Sequence, residues 1–347
     1  MKNVPNNLSI AKTVLVLIGL AGLWFSGTGV RADTIRVNQG RTPSGDVTKI
    51  TADAVTVTSQ GGSEIQVPTN RITLINFKND PPLLARARNE AFSERFEAAL
   101  ETMKQVDAKG FIGPLAADAA FIPAMAEAQL ALRGKMRLDE ACKKMLQFIK
   151  DYPDSYHYYQ AVRLAGDLLA AEGEFDAVVR LYEKLDKAPW PEYQADAKIH
   201  AALACAEKDQ PAMARKLLEQ AAKAGKLDAT QTSRLELAKA LCLIKEDKSQ
   251  EAIRAIESQI KSLPPQDNEL NAQAYNLLGR AYSQASQPQD AVLAFLHVDL
   301  MYPTNALAHA EALSNLASLW NQIHKPQRAR KASETLKQRY PFSRWSK

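Results

Sequence analysis

The sequence predicts a mainly α protein, a solenoid of helix-turn-helix repeats preceded by a small all-β, barrel-like module. Two observations carry this. Pro153, Pro189, Pro264, Pro303 and Pro341 recur at spacings of 36, 75, 39 and 38 residues, with one beat missing near Lys226. A fixed period of that size marks stacked supersecondary units that bury their apolar faces only against one another. Between residues 33 and 79 apolar and polar residues alternate, the period of two expected of half-buried strands. Ahead of both lies the apolar run Thr13 to Phe25.

That run follows Lys2 and Lys12 and leads to Val30-Arg31-Ala32, which offers small residues at the two positions a signal peptidase reads. The first 32 residues are therefore expected to be an export signal cleaved after Ala32, placing the protein in the periplasm or cell envelope. An uncleaved N-terminal anchor is the alternative, since residues 13 to 30 carry no charge. Polar and glycine residues from Ser26 to Gly29 argue against it. The first cysteine is Cys142, so no lipid anchor is expected near the cleavage site.

In residues 33–79 the pairs Ile35/Val37, Val55/Val57, Ile65/Val67 and Ile72/Leu74, with Val47 to Thr51, predict five short strands. Ser59-Gln60-Gly61-Gly62-Ser63 reads as a hairpin loop, and Pro68 to Arg71 as a tight turn into the last strand. The order looks like a small SH3-like or Sm-like barrel. So small a module buries little core by itself, which suggests packing against the first helix and a role as recognition module or cap. Asn79-Asp80-Pro81-Pro82 marks the junction. Leu83 to Asp107 is expected to be one long helical stretch, a leading element of the repeat domain at 83–347.

The clearest repeat is carried by Tyr275, Leu278, Gly279, Tyr282, Ala291, Phe295 and Pro303, with Ser286-Gln287-Pro288-Gln289-Asp290 as its turn. Gly279 and Ala291 are small where two antiparallel helices cross, the larger residues fill the space around them, and Pro303 ends the second helix. Asp290 suits a helix start, where a carboxylate caps free amides. Weaker copies are Ala128, Leu132, Ala141, Met145, Phe148 and Pro153; Leu164, Ala165, Leu168, Ala177, Leu181 and Pro189; Ala201, Ala202, Cys205, Ala214 and Leu218, closed by Gly225; Leu237, Ala238, Leu241, Ala252, Ile256 and Pro264; and Leu313, Leu316, Ala317, Trp320, Ala329, Leu336 and Pro341. This makes about six repeats.

The pattern closely resembles the tetratricopeptide repeat (TPR). Three units close with Tyr-Pro, at Tyr152-Pro153, Tyr302-Pro303 and Tyr340-Pro341, and the period near 38 exceeds the usual length of about 34. In this it is similar to repeats of bacterial envelope proteins, including the Tol–Pal-associated periplasmic protein and outer-membrane assembly lipoproteins. The resemblance implies a non-catalytic adaptor binding other proteins or peptides in a concave groove. Groove-facing residues would be Gln273, Asn276, Arg280 and Gln284, then Ser314, Ser318 and Gln322. Some relatives grip a peptide's terminal carboxylate with lysines and asparagines; Asn276 and Arg280 are kept here but the lysine set is not.

The formal charge of +5 falls to +2 once Lys2, Lys12 and Arg31 are removed, so nucleic acid is not an expected partner. The C-terminal end is basic, Arg328, Arg330, Lys331, Lys337 and Arg339 being opposed there only by Glu334. It reads as a solvated capping helix or, alternatively, as a contact for cell wall or an anionic membrane surface. The dispersed cysteines Cys142, Cys205 and Cys242 read as buried small hydrophobes. His157, His200, His297, His309 and His324 show no metal spacing and are expected at the surface or groove. Ser258-Gln259-Ile260-Lys261 matches S-x-x-K without its partner elements. No cofactor, metal or catalytic residue is expected. Tyr152, Tyr156, Tyr158 and Tyr159, with Trp190 and Tyr193, read as packing at repeat joints rather than as a ligand platform.

Overall fold

The computed structural model describes residues 32–38 and 40–346. The export-signal and anchor readings concern the segment before Ala32 and lie outside the described residues.

The β module is a five-stranded antiparallel sheet of β1 (Asp33–Val37), β2 (Ser44–Ile50), β3 (Ala54–Thr58), β4 (Glu64–Pro68) and β5 (Ile72–Asn76), in the order β4-β3-β2-β1-β5. Register shifts at Arg36/Val37 and Val47/Lys49 curve it around its own core. The loop after β3 is tied by the Ser59 and Gly62 amides, and a 3-10 turn at Thr69–Arg71 leads into β5. Ile35, Val55, Val57, Val67 and Ile75 fill the interior. Ile65 sits at the end of edge strand β4 and is 46% exposed, so only Val67 of that pair joins the core. Leu74 and Ile75 point to opposite faces of β5 and both are fully buried, so this strand is covered on both sides.

The helical domain is a run of antiparallel pairs: α1 (Pro82–Phe92) with α2 (Phe96–Met103), α3 (Gly113–Leu132) with α4 (Leu138–Asp151), α5 (Tyr158–Glu172) with α6 (Phe175–Leu185), α7 (Pro191–Glu207) with α8 (Pro211–Lys223), α9 (Ala229–Lys245) with α10 (Ser249–Ser262), α11 (Asn268–Gln284) with α12 (Pro288–Met301), and α13 (Ala306–Gln322) with α14 (Pro326–Arg339). The expected single stretch from Leu83 to Asp107 is thus a hairpin of two helices, broken at Ser93-Glu94-Arg95, and it forms a seventh pair.

One backbone device makes every turn within a pair. Glu94, Gly134, Gly173, Asp209, Asp247, Ser286 and His324 all take positive φ, between 57° and 87°. In each case the next residue donates its amide to the carbonyl five residues back, from Arg95 to Glu90 (2.9 Å) through to Lys325 to Trp320 (2.7 Å). This is the Schellman closure, which satisfies orphan carbonyls at a helix end and reverses the chain. Its recurrence every 36 to 40 residues continues without a gap where the proline beat fails. Asp290, expected as a cap, lies in the first turn of α12 after Pro288, and no side chain caps that helix.

Within a pair the crossing is set by a small residue under a ring. A Cβ on Gly279 would lie 2.6 Å from the Phe295 ring, and one on Gly166 would lie 2.6 Å from the Tyr182 ring. The second contact corrects the repeat register by one residue. Gly166, Val178 and Tyr182, rather than Ala165, Ala177 and Leu181, are equivalent to Gly279, Ala291 and Phe295. The three cysteines are free and buried.

The β module is joined to the helices through a buried polar cluster. Arg88 of α1 donates two hydrogen bonds to Asp80 in the junction (2.6 and 2.8 Å) and its Nε to Asp118 of α3 (2.6 Å). Asp118 also accepts from the Tyr156 hydroxyl (3.2 Å) and from His157 Nε2 (3.1 Å). Arg88 and Asp118 are both 0% exposed. The Tyr156 ring enters the β-module core and the His157 ring stacks on Phe121 at 3.9 Å. Burial opposes charge on Arg88, but the Asp80 hydrogen bonds and the Asp118 carboxylate outweigh it and raise its pKa. His157 is therefore a core residue, not a surface one. His309 is another, bonded to Tyr340 Oη and Asp299 Oδ1 at 2.7 Å each. The tyrosines do serve packing, although Tyr156 packs into the β module instead of a repeat joint. Farther along, Tyr159 donates to Asp53 (2.9 Å) and Asn70 to Glu192 (2.6 Å), so the module lies along α5 and α7 rather than only over the end of the stack.

Candidate functional site

The first helices of the pairs line a groove of about 710 Å³ on the concave side. Arg163 and Asp167 come from α5, His200 and Glu207 from α7, Arg234 from α9, and Glu311 from α13. The solenoid curves far enough to meet itself. The Tyr340 ring packs where a Cβ on Gly134 would stand (2.8 Å), and Arg344 donates to the carbonyl of Ala170 (3.3 Å). The Arg344 guanidinium lies over the Phe175 and Trp345 rings at 5.4 and 4.7 Å, so the segment Ser343–Trp345 forms part of the groove wall.

Ion pairs between first helices, neighbouring and next but one, cross-link this surface. Arg280 grips Glu207 with both nitrogens (2.7 and 3.0 Å), bridging α11 to α7, and Arg234 meets Glu269 at 2.9 Å. Burial would raise the Glu207 carboxyl, yet the Arg280 charge and hydrogen bonds hold it below its usual range. Glu311 shows the reverse, burial raising it against the pull of Arg280 at 3.8 Å. Burial, helped by the Arg234 and Arg163 charges, pushes the His200 imidazole down to about 3, so it is neutral. Burial pushes the Asp167 carboxyl up to about 6.

Of the residues expected to face the groove, Gln273, Asn276 and Arg280 line it. Gln284 instead ties the neighbouring pair, accepting from Ser249 (2.9 Å) and donating to Asp247 (2.7 Å). Ser314, Ser318 and Gln322 are not among the lining residues; the last pair contributes Thr304 to Ala308 and Glu311. The sequence reading missed Arg234, one pair earlier, and Arg163 and Asp167, three pairs earlier, at the same helical faces, while His200 does line the groove, one of its two expected places. Among the described residues no group of three or more His, Cys, Asp or Glu is placed to hold a metal ion. The basic residues Arg328, Arg330, Lys331, Lys337 and Arg339 are all exposed on α14, with Arg328 stacked on Trp320 at 4.8 Å.

A smaller cavity of about 430 Å³ lies between the β module and the helices, bounded by Asn70, Tyr156, Tyr159 and Tyr193. It shares Arg163 and Asp167 with the groove.

A tetratricopeptide repeat protein from Parabacteroides merdae superposes with a TM-score of 0.54 at 15% identity, over 74% of this chain and 91% of that one. The helical domain is a tetratricopeptide-repeat solenoid. A Rap protein complexed with Competence and Sporulation Factor gives 0.54 at 12% identity over 76% of each chain. The apo quorum sensor NprR from B. thuringiensis gives 0.53 at 14% identity over 73% of this chain and 74% of that one. No protein-family model and no curated protein matches the chain. The likeness is one of fold, over about three quarters of this chain.

Proposed function

We propose that the protein is a non-catalytic, exported interaction scaffold whose TPR groove binds an extended segment of a partner protein or peptide. The observation that carries this is the groove itself, about 710 Å³ and walled by successive first helices and by the chain's own Arg344 and Trp345. A groove of this volume, walled on several sides, suits a peptide-like strand. The Rap protein of similar fold, complexed with Competence and Sporulation Factor, supports the reading by analogy. Export rests on the N-terminal Lys2 to Ala32 pattern.

A photocrosslinking residue at Gln273, which is exposed in the groove, tests this in cells against the same residue at Ser318, exposed outside it. Partner segments captured at Gln273 and not at Ser318 are expected. Capture only through α14 or the β module overturns the groove reading. The five exposed cations on α14 favour a second reading, attachment to cell wall or anionic membrane. Salt-sensitive binding to peptidoglycan or anionic vesicles that disappears when Arg328, Arg330 and Lys331 are changed to glutamate is its expected signature.

A further inference from the structure

Most charges of the groove are met, although Glu311 shares the Arg280 guanidinium with Glu207 (3.8 Å) and Arg344 rests on a backbone carbonyl. Arg280 is held by Glu207, Arg234 by Glu269, Arg133 by Glu94 (2.7 Å) and Arg344 by the Ala170 carbonyl, while Arg163 lies between Asp196 (3.5 Å) and the Tyr193 ring (5.5 Å). Asp167, one turn along α5 from Arg163, has no hydrogen bond or ion pair among the described residues. It is faced by Tyr182 from α6, Asp196 and His200 from α7, Arg234 from α9 and Glu269 from α11. His200 is neutral, so two guanidinium groups stand against three carboxylates. One negative charge is in excess, at the place where the groove and the smaller cavity meet. A carboxylate half removed from water without a donor is held there at a cost in free energy, and its raised pKa reflects that cost.

A second unmet need lies in the same groove. Asn276 is 3% exposed, and its Nδ2 donates to the Ala308 carbonyl (2.9 Å) and to Glu311 Oε2 (3.3 Å). Both partners are acceptors, which fixes the orientation of the amide, and its Oδ1 is left buried with no donor.

Resting on the groove reading above, we propose that the bound segment presents a lysine or arginine side chain to Asp167. The cation fills the local charge deficit, and a backbone N–H of the same segment supplies the donor that Asn276 lacks. An acidic segment is disfavoured at this point, because the nearby Arg163 and Arg234 are already engaged by Asp196 and Glu269.

The test uses fluorescently labelled peptide pools, N-acetylated and C-amidated so that terminal charges contribute nothing, random except for a central Lys, Arg, norleucine or Glu. They are titrated against the full chain by anisotropy. The Lys and Arg pools are expected to bind about tenfold more tightly than norleucine. Asp167→Asn should bring them level with norleucine measured on the same variant, and Asp167→Lys should transfer the preference to the Glu pool. For the Arg pool the preference should fade as pH drops through about 6. Equal binding of all pools, or a basic preference that survives both substitutions, overturns the inference and leaves the groove reading intact. No binding by any pool overturns both.

Discussion

Arg344 donates to the carbonyl of Ala170 at 3.3 Å, joining residues 174 positions apart. Ala170 lies in the last turn of α5, where its carbonyl accepts only the Gly173 amide (3.1 Å) and the helix dipole is negative, so the guanidinium takes its second lone pair. The contact turns an open solenoid into a closed one. Arg344→Ala is expected to cost about 1–2 kcal/mol through the lost charged hydrogen bond and the stacking on Phe175. Hydrogen exchange should speed up at Gly173 and through Ser343–Ser346 while the amides of α9 and α10 are unaffected. Uniform acceleration along the chain would show that the contact does not act locally.

The Arg88 cluster makes a different prediction, because it is buried throughout. Arg88→Leu leaves Asp80 and Asp118 without their cation and should cost about 3–5 kcal/mol. Tyr156→Phe removes one donor of three from Asp118 and should cost about 1 kcal/mol. Limited proteolysis then discriminates the roles. If the cluster couples the two parts, Arg88→Leu releases the segment 33–79 before the helices are cut, whereas Tyr156→Phe does not.

Gly279→Ala places a methyl 2.6 Å from the Phe295 ring in a fully buried crossing. Overpacking of this kind costs about 1–3 kcal/mol. Adding Phe295→Leu should recover part of the loss, giving a favourable coupling in a double-mutant cycle of thermal or urea melts. Additive losses would mean that the ring is not the obstacle.

Ser286 holds φ at 60°, a conformation that costs an L-residue about 1–2 kcal/mol. Ser286→Gly relieves the strain and loses some of the gain to the greater freedom of the unfolded chain. A net stabilisation of about 0.5–1 kcal/mol is expected in urea melts, with the m-value unchanged.

These positions show what the sequence made legible. The prolines announced the period because proline acts on its own backbone, and the strands were readable because alternation is a local pattern. The Schellman turns carry the period more faithfully, but five of the seven are Glu94, Asp209, Asp247, Ser286 and His324. None of these types demands positive φ, so the seventh pair, α1 with α2, read as one helix. Arg88, Asp118 and His157 were invisible for another reason. Their partners lie 30 and 39 residues away, and only folding brings them together. In the groove, helical spacing located Gln273, Asn276 and Arg280 on one face. It could not show where the superhelix closes, and so it extended the lining to Ser314, Ser318 and Gln322.

The titrations of Asp167 and His200 run in opposite directions, which allows them to be separated. The native pKa of Asp167, about 6, lies above its ordinary 3.8, so between these values the folded chain binds more protons than the unfolded one. Stability from this residue therefore falls as pH rises through the window. For His200 the native value of about 3 lies below 6.5, the unfolded chain binds more protons between them, and stability rises with pH there. Asp167→Asn should therefore melt with the wild type near pH 4 and pull ahead as pH rises, levelling above pH 6 at about 1–2 kcal/mol after allowance for partial exposure. His200→Gln should diverge in the other sense, equalling or exceeding the wild type in acid and falling behind above pH 6.5. A flat difference curve for Asp167→Asn would remove the charge deficit from the groove. A rising one would mean that this carboxylate destabilises the free fold, a cost that a cationic ligand would relieve.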